Sequence, residues 1–288
     1  MAELSFVPAA QPPSSQQAER LCEDWDFQLV KGQSLNPELE EMSGLAFSRH
    51  WDDLLYHIAD SENPPHLLVS DSLMQRFRAV PYADENRDTE DLAVAACPEG
   101  GSCLFIADTG DNFHLRKERF VYVVREDALA GSVQGQQLRI TFPEQQALDV
   151  EALAVAPDGR ELYFFSKEKA KTQVFSVSWD GHSNDLRPQK IAELSRTMVT
   201  GASFHPSARR ILLINLEGAL ELSMEAKPGF QKTQRTWFPY ERKIALMNLA
   251  QQEAIAYAPD GLSFIYSSER KPWSYGPWGL VWARCRLR

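Results

Sequence analysis

The feature that most constrains the fold is a short sequence pattern that occurs five times. Each copy begins with a run of small and apolar residues, continues through a turn, and ends with a second apolar run that closes on a small polar or acidic residue. The first runs begin at Ser43, Glu90, Glu151, Thr200 and Glu253. The second runs end at Asp60, Asp108, Ser166, Asn215 and Ser268. The two ends lie 15 to 18 positions apart in every copy, so the pattern marks one repeated structural unit.

The spacing of the copies indicates what this unit is. Successive first runs start 47, 61, 49 and 53 residues apart, which is the size of a four-stranded propeller blade. Helical periodicity is weak throughout the chain. We therefore predict an all-β protein with the architecture of a five-bladed β-propeller. The 61-residue interval that starts at Glu90 is long, and it leaves a six-bladed ring with one degenerate blade as the alternative.

The end of the chain indicates how the ring closes. The fifth copy has room for only three strands before Arg288. A strand at Trp25–Val30 would supply the fourth, pair with the final apolar run and remove the exposed sheet edges. We accordingly expect one propeller domain over residues 16–288, preceded by a flexible leader at residues 1–15.

The four cysteines fit this arrangement in pairs. Cys97 and Cys103 flank a turn-forming stretch between two apolar runs, so a hairpin would bring them within reach of a bridge. Two reduced thiols are the alternative. If the closing strand is antiparallel to the last run, Cys285 lies near Cys22. Two bridges imply an oxidising compartment, so we expect a periplasmic or secreted protein whose signal peptide lies outside this sequence.

Charge and composition exclude several classes of partner. Forty acidic residues against thirty basic ones give a net charge of −10, which disfavours a protein that neutralises nucleic-acid phosphate. No apolar run approaches the roughly 18 residues that a membrane span requires. We expect a monomer that binds a small molecule or a protein on its metal-bearing face, with no nucleic-acid polymer as partner and no membrane span.

The metal is predicted from the first residue of each copy. In a propeller these residues open the innermost strands, so Ser43, Glu90, Glu151, Thr200 and Glu253 converge on one level of the central channel. Three carboxylates there are costly unless they are protonated, hydrated or neutralised by a cation. Ca²⁺ suits oxygen ligands, and the absence of His and Cys from the ring disfavours zinc. The alternative is a wet acidic channel that binds nothing tightly.

The order Ser, Glu, Glu, Thr, Glu, with one residue per blade, resembles the central calcium site of the calcium-activated nucleotidases, the apyrase family of five-bladed propellers. The Glu-centred motifs are more loosely similar to phytase-like and esterase-like propellers of bacteria. The nucleotidase resemblance implies that Ser43, Glu90, Glu151, Thr200 and Glu253 are the calcium ligands, with carbonyl oxygens supplied at the serine and threonine positions. It also implies hydrolysis of phosphorylated small molecules.

The second runs end on the same face of the propeller, where the following loops form a rim around the predicted metal. We expect Asp108 or Asp60 to position the attacking water or act as general base. Asx-type turn capping is the alternative for two of the remaining rim residues, Asp111 and Asn112. The rim residues predicted to bind substrate are Asp111, Asn112, Arg116, Lys167, Asn215, Ser268 and Arg270.

Two functions of different class follow from this arrangement. The first is a calcium-dependent hydrolase of the nucleotidase or phosphoesterase kind. The second is a binding or scaffold propeller in which calcium only braces the axis, and lactone or ester hydrolysis is a weaker third. Sequence signatures of covalent catalysis, such as Gly-x-Ser-x-Gly, are absent. A phosphoesterase needs cations that converge on the metal face, and Arg116, Lys167 and Arg270 are the residues that would supply them.

Overall fold

Five blades, four of four strands and one of five, surround a central axis in the computed structural model of the chain. The structure describes residues 22–30, 39–61, 63–130, 133–143, 147–224, 238, 241–270 and 279–286. The leader expected at residues 1–15 lies outside these residues. No helix in the described part of the chain is both long enough and apolar enough to cross a membrane.

Blades 1, 2 and 3 follow one another along the chain, and the first strand of each is innermost, where it contacts the first strands of the neighbouring blades. Blade 1 consists of β2 (Met42–Phe47), β3 (Leu54–Ala59), β4 (His66–Asp71) and β5 (Phe77–Pro81). Blade 2 consists of β6 (Thr89–Ala96), β7 (Ser102–Asp108), β8 (Arg119–Arg125) and β9 (Gln136–Ile140). Blade 3 consists of β10 (Val150–Val155), β11 (Glu161–Ser166), β12 (Thr172–Ser178) and β14 (Gln189–Leu194).

Blades 4 and 5 complete the ring. Blade 4 consists of β15 (Gly201–Phe204), β16 (Arg210–Asn215), β17 (Gly218–Ser223) and β18 (Glu241–Ile244). Blade 5 consists of β19 (Gln252–Tyr257), β20 (Ser263–Ser268), β21 (Leu280–Cys285) and β1 (Trp25–Val30). The two-residue strand β13 (Asp185–Leu186) comes from the loop between β12 and β14 and adds to blade 2 by parallel pairing with β9.

The five-bladed prediction is confirmed, and the six-bladed alternative is wrong. The long interval after Glu90 contains no sixth blade; within its described residues it holds the extended loop 109–118 and a 3₁₀ helix at Glu126–Ala130. The predicted closure is also present, because β1 pairs antiparallel with β21 and places Trp25 opposite Cys285.

Both predicted disulfides are present. Cys22 is bonded to Cys285, with 5.6 Å between their Cα atoms, and this bond fastens the two ends of the ring within blade 5. Cys97 is bonded to Cys103 across the β6–β7 turn, with a Cα separation of 5.2 Å. The described part of the chain contains no free cysteine.

The hydrophobic core is divided into sectors between the blades. Buried apolar side chains of the described residues form five clusters, and each cluster fills the wedge between two neighbouring blades. Near the axis the strands are crowded, which explains the small residues of the first runs. A Cβ added to Gly44 would lie 2.8 Å from Cα of Asp91, and one added to Gly201 would lie 2.6 Å from the carbonyl oxygen of Glu253.

Candidate metal centre

The residues predicted to line the channel lie where the strand pairing is interrupted. In blades 1, 2 and 3 the ladder between the two inner strands skips one residue, and that residue is Ser43, Glu90 or Glu151 respectively. The ladder of blade 5 is also irregular beside Glu253. In blade 4, Thr200 directly precedes the first strand. A bulge redirects the side chain of the unpaired residue, so the repeated sequence pattern encodes a repeated local distortion.

The five residues predicted to line the channel, which we call the ring residues, have two different roles, and all of them are buried: Ser43, Glu90, Glu151, Thr200 and Glu253. The Ser43 hydroxyl donates a hydrogen bond to the carbonyl of Thr89 at 2.9 Å. The Thr200 hydroxyl donates to the carbonyl of Gln252 at 3.0 Å. Each hydroxyl therefore links its blade to the next one around the ring. Of these five residues, only the three glutamates carry an ionisable group.

Glu90 is the shared member of two carboxylate triads. The first triad, which we call the axial triad, consists of Glu90, Asp149 and Glu151. The second, the lateral triad, consists of Asp60, Asp88 and Glu90. Within each triad one oxygen from every residue lies within 4.8 Å of the others. Carboxylate oxygens at this spacing are suited to the coordination of one hard cation.

Sequence reasoning missed Asp88 and Asp149, although a signal for them exists. Each stands two positions before a ring glutamate and directly before the first residue of an inner strand, Thr89 or Val150. Glu41 stands in the same relation to Ser43. Acidic residues thus recur one level away from the ring in three of the five copies, which is a second periodic signal beside the first.

Burial and mutual repulsion make this centre electrostatically unfavourable for carboxylates. Burial, reinforced by the charge of Glu151, raises the pKa of Glu90 well above its usual range. Burial also raises the pKa of Glu151, and the charges of Glu253 and Asp149 add to that effect. The pKa of Asp88 is raised to about 6, chiefly by burial and then by the charge of Asp60.

One lysine enters the centre from blade 3. The Lys167 ammonium lies 2.6 Å from Oε2 of Glu151, and only about a fifth of its side chain is exposed. The backbone amide of Lys167 donates to the carbonyl of Asp149 at 2.9 Å, which fixes the start of this side chain beside the axial triad. Burial lowers the pKa of Lys167, but the charges of Glu151 and Glu253 outweigh it, so the net shift is upward.

Arg116 also points inward, toward Asp108, one of the two carboxylates that the sequence predicts to be catalytic. Its Nη2 lies 2.7 Å from Oδ1 of Asp108, and its Nη1 donates to the carbonyl of Gly110 at 2.8 Å. Asp108 is fully buried, and its other oxygen, Oδ2, has no hydrogen-bond partner among the described residues. Arg270, by contrast, forms an exposed ion pair with Glu40 at 2.6 Å.

Several predicted substrate contacts are used by the loops themselves. The Asp111 carboxylate accepts hydrogen bonds from the amide of Leu115 at 2.7 Å and from the guanidinium of Arg119 at 2.8 Å, which supports the turn-capping alternative. Its neighbour Asn112 is exposed. These contacts hold the loop 109–118 against the propeller and leave its outer side to form one wall of a groove.

Two further predicted substrate contacts, Asn215 and Ser268, form hydrogen bonds with backbone groups of the loops. The side-chain oxygen of Asn215 accepts from the amide of Glu217 at 2.9 Å, and its amide group donates to the carbonyl of Thr197 at 2.8 Å. The Ser268 hydroxyl oxygen accepts from the amide of Gly279 at 3.1 Å. Both residues are buried and support the rim loops.

Gly110 forms the lid of the lateral triad. A Cβ added to this residue would lie 2.1 Å from Oε1 of Glu90 and 2.7 Å from Oδ2 of Asp88. That Glu90 oxygen is buried and has no hydrogen-bond partner in the part of the chain that the structure describes. Gly110 therefore allows the loop to close over two carboxylate oxygens without filling the space between them.

A groove of about 420 Å³ opens beside the lateral triad. Its lining includes three basic side chains and three acidic ones: Arg87, Arg116, Lys117, Asp88, Asp111 and Glu118. Two large apolar side chains at its edge are unusually exposed, Phe113 by 84% and Leu115 by 79%. The groove thus combines charged groups of both signs with apolar surface next to the lateral triad.

Comparison with known proteins supports the fold. A chain in the crystal structure of a nidogen/laminin complex is similar with a TM-score of 0.50 and 15% identity, over 83% of this chain and 84% of that one. A candidate 6-phosphogluconolactonase from Bacteroides uniformis gives a TM-score of 0.42 and 14% identity, over 78% of this chain and 64% of that one. No protein-family model matches the chain, and no curated protein matches it in sequence. At these identities the similarity shows a β-propeller fold alone.

Proposed function

We propose that this protein is a calcium-binding β-propeller that hydrolyses phosphorylated small molecules, in the manner of a nucleotidase or phosphoesterase. The observation that carries the proposal is the axial triad, a buried group of three carboxylates at the centre of one face. The donor set fits Ca²⁺, which accepts six to eight oxygen ligands from carboxylates, carbonyls and water. The predicted carbonyl oxygens of Ser43 and Thr200 would complete it.

The charge balance around the triads supports a bound cation. Four basic side chains interact with the carboxylates of the centre among the described residues: Lys167, Arg116, Arg87 and Arg119. The carboxylates number seven, so the acids exceed the bases by three: Asp60, Asp88, Glu90, Asp108, Asp149, Glu151 and Glu253. Buried carboxylates without matching positive charge are destabilising, and a divalent cation would offset part of that cost.

The side chains around the centre can be assigned to steps of phosphate hydrolysis. Bound calcium would polarise phosphoryl oxygens. Lys167 and Arg116 would hold the negatively charged phosphoryl group in place. Asp108 would take a proton from the attacking water as the new bond to phosphorus forms and the bond to the leaving oxygen breaks. Asp108 suits this role better than Asp60, because its Oδ2 atom has no hydrogen-bond partner in the described chain, whereas Asp60 belongs to the lateral triad.

The groove supports a substrate with an apolar part. A phosphoryl group beside Arg116 would leave the rest of the molecule against Phe113 and Leu115. A nucleoside di- or triphosphate has this combination of a charged end and a flat, weakly polar end. The two disulfides favour an oxidising compartment, which agrees with a periplasmic or secreted enzyme.

The second candidate is a binding propeller in which calcium has a structural role only. Two observations favour it. Lys167 is already paired with Glu151, and the exposed Phe113 and Leu115 could contact a protein as well as a nucleotide. The two functions differ in turnover, because both predict bound calcium and only the first predicts release of phosphate.

The test is phosphate release from a panel of nucleoside di- and triphosphates, with calcium and with chelator. We expect turnover that requires calcium and that falls at least 100-fold in Glu151→Gln. The matched control is Glu99→Gln, which alters an exposed carboxylate at the opposite end of β6 and should leave turnover unchanged. Calcium binding without turnover would establish the binding propeller, and turnover that persists in chelator would overturn the proposed mechanism.

A further inference from the structure

We propose that the centre binds two cations that share Glu90, one in the axial triad and one in the lateral triad. This inference rests on the calcium binding proposed above but not on hydrolysis. The lateral site lies between blades 1 and 2, because Asp60 follows β3 and Asp88 precedes β6. The axial site lies toward blade 3, which contributes Asp149 and Glu151. Glu90 stands between the two positions, and a carboxylate has two oxygens with which to bridge two ions.

The direction of the Glu90 side chain is the first independent support for the lateral site. Glu90 is 95% buried, as its relative exposure is 5%, and its Oε1 atom accepts no hydrogen bond from the described residues. The same atom and Oδ2 of Asp88 both lie close to the position that a Cβ on Gly110 would take, at 2.1 and 2.7 Å. Oε1 of Glu90, which has no hydrogen-bond partner among the described residues, therefore points into the lateral triad. Gly110 covers this oxygen, and any larger residue at that position would clash with it.

The distribution of positive charge is the second support. In the axial triad, Lys167 contacts Glu151 at 2.6 Å and neutralises one carboxylate. Across the described ranges, no lysine or arginine forms an ion pair with Asp60, Asp88 or Glu90; Arg116, whose charge also acts on Asp88, forms its ion pair with Asp108. The lateral triad thus has less of its negative charge balanced by ion pairs than the axial triad has. The five-copy sequence pattern predicts only the axial site.

Two bridged cations would also define the substrate more narrowly. Paired metal ions stabilise both the attacking and the leaving oxygen in phosphoryl transfer. The lateral position adjoins the groove that Arg116 and Phe113 line. A phosphoester bound in the groove would reach the lateral cation first, so we assign substrate contact to that ion and a mainly supporting role to the axial one.

Calcium titration of the intact chain by calorimetry tests the inference. We expect two equivalents in the wild type and in the control Glu99→Gln. Asp60→Asn should lose one equivalent, Asp149→Asn should lose the other, and Glu90→Gln should weaken both by at least tenfold. Thermal unfolding of each variant in chelator verifies that it is folded.

The outcomes separate this inference from the proposed function. One equivalent in the wild type that is unaffected by Asp60→Asn would overturn the lateral site and leave the axial calcium standing. A single equivalent lost equally in Asp60→Asn and Asp149→Asn would also overturn it, in favour of one ion held by both triads. No calcium binding at all would remove the basis of both proposals.

Discussion

Glu90 and Asp91 are neighbours in the chain, both buried, and their surroundings are opposite. The Asp91 carboxylate accepts hydrogen bonds from the amides of Leu92 at 2.8 Å, Leu153 at 2.9 Å and Ala202 at 3.0 Å. It thereby joins the innermost strands of blades 2, 3 and 4 at the axis. Glu90, one residue earlier, leaves Oε1 without a partner in the described chain and faces other carboxylates instead.

The comparison distinguishes a carboxylate that stabilises the fold from one that is available to a ligand. Burial raises the pKa of both groups well above the usual range. For Asp91, the three backbone amides oppose that rise, so the protein itself supplies the stabilisation that water would have given. For Glu90, the charges of Glu151, Asp60 and Asp88 increase the rise. Of the two carboxylates, Glu90 is therefore the one that we propose as a cation ligand.

The largest effect is expected when the framework carboxylate is removed. Asp91→Ala would leave three buried amides without acceptors, and each unsatisfied group costs about 1 to 3 kcal/mol. We expect the free energy of unfolding to fall by about 3 kcal/mol or more, measured by denaturant unfolding in chelator. Asp91→Asn retains one acceptor oxygen and should lose less. A loss below about 1 kcal/mol in Asp91→Ala would show that Asp91 does not join the blades.

A smaller effect, confined to the ligand-binding side, is expected at Gly110. Gly110→Ala would place a methyl group against Oε1 of Glu90 and Oδ2 of Asp88, both at the ends of side chains that can rotate. The fold should persist, while calcium affinity falls about tenfold, equivalent to about 1.4 kcal/mol. The matched control is Gly135→Ala, whose methyl would contact Val124 at 3.1 Å, away from the centre. Unchanged affinity in Gly110→Ala would contradict a lateral cation.

The sequence was sufficient to predict the blades and the closure of the ring. Repeat spacing determines blade number, and the pairing of Trp25–Val30 with β21 follows from the missing strand, as does the Cys22–Cys285 bond. Both depend only on the order and length of apolar runs. Each is therefore visible without knowledge of any side-chain contact.

The details of the centre could not be predicted in the same way. The five-copy pattern contributes one residue from each blade, so it predicts a symmetric ring of ligands. In the structure the carboxylates are instead concentrated on blades 1 to 3, where Asp88 and Asp149 lie beside Glu90 and Glu151. Which way a side chain points depends on the bulges and on the loop 109–118, whose conformation Asp111 fixes through hydrogen bonds. Glu90 and Asp91 look equivalent in the sequence, and only the register of β6 separates their roles.

The most direct test of the central claim is thermal unfolding of the wild type and Glu90→Gln, each with chelator and with calcium. In chelator, Glu90→Gln should melt at or above the wild-type temperature, because it removes a charge from a group of buried carboxylates. Calcium should raise the wild-type melting temperature in proportion to the logarithm of its concentration over its dissociation constant, and it should raise that of Glu90→Gln little or not at all. A wild-type melting temperature indifferent to calcium, or an equal rise in Glu90→Gln, would contradict the assignment of Glu90 as a metal ligand.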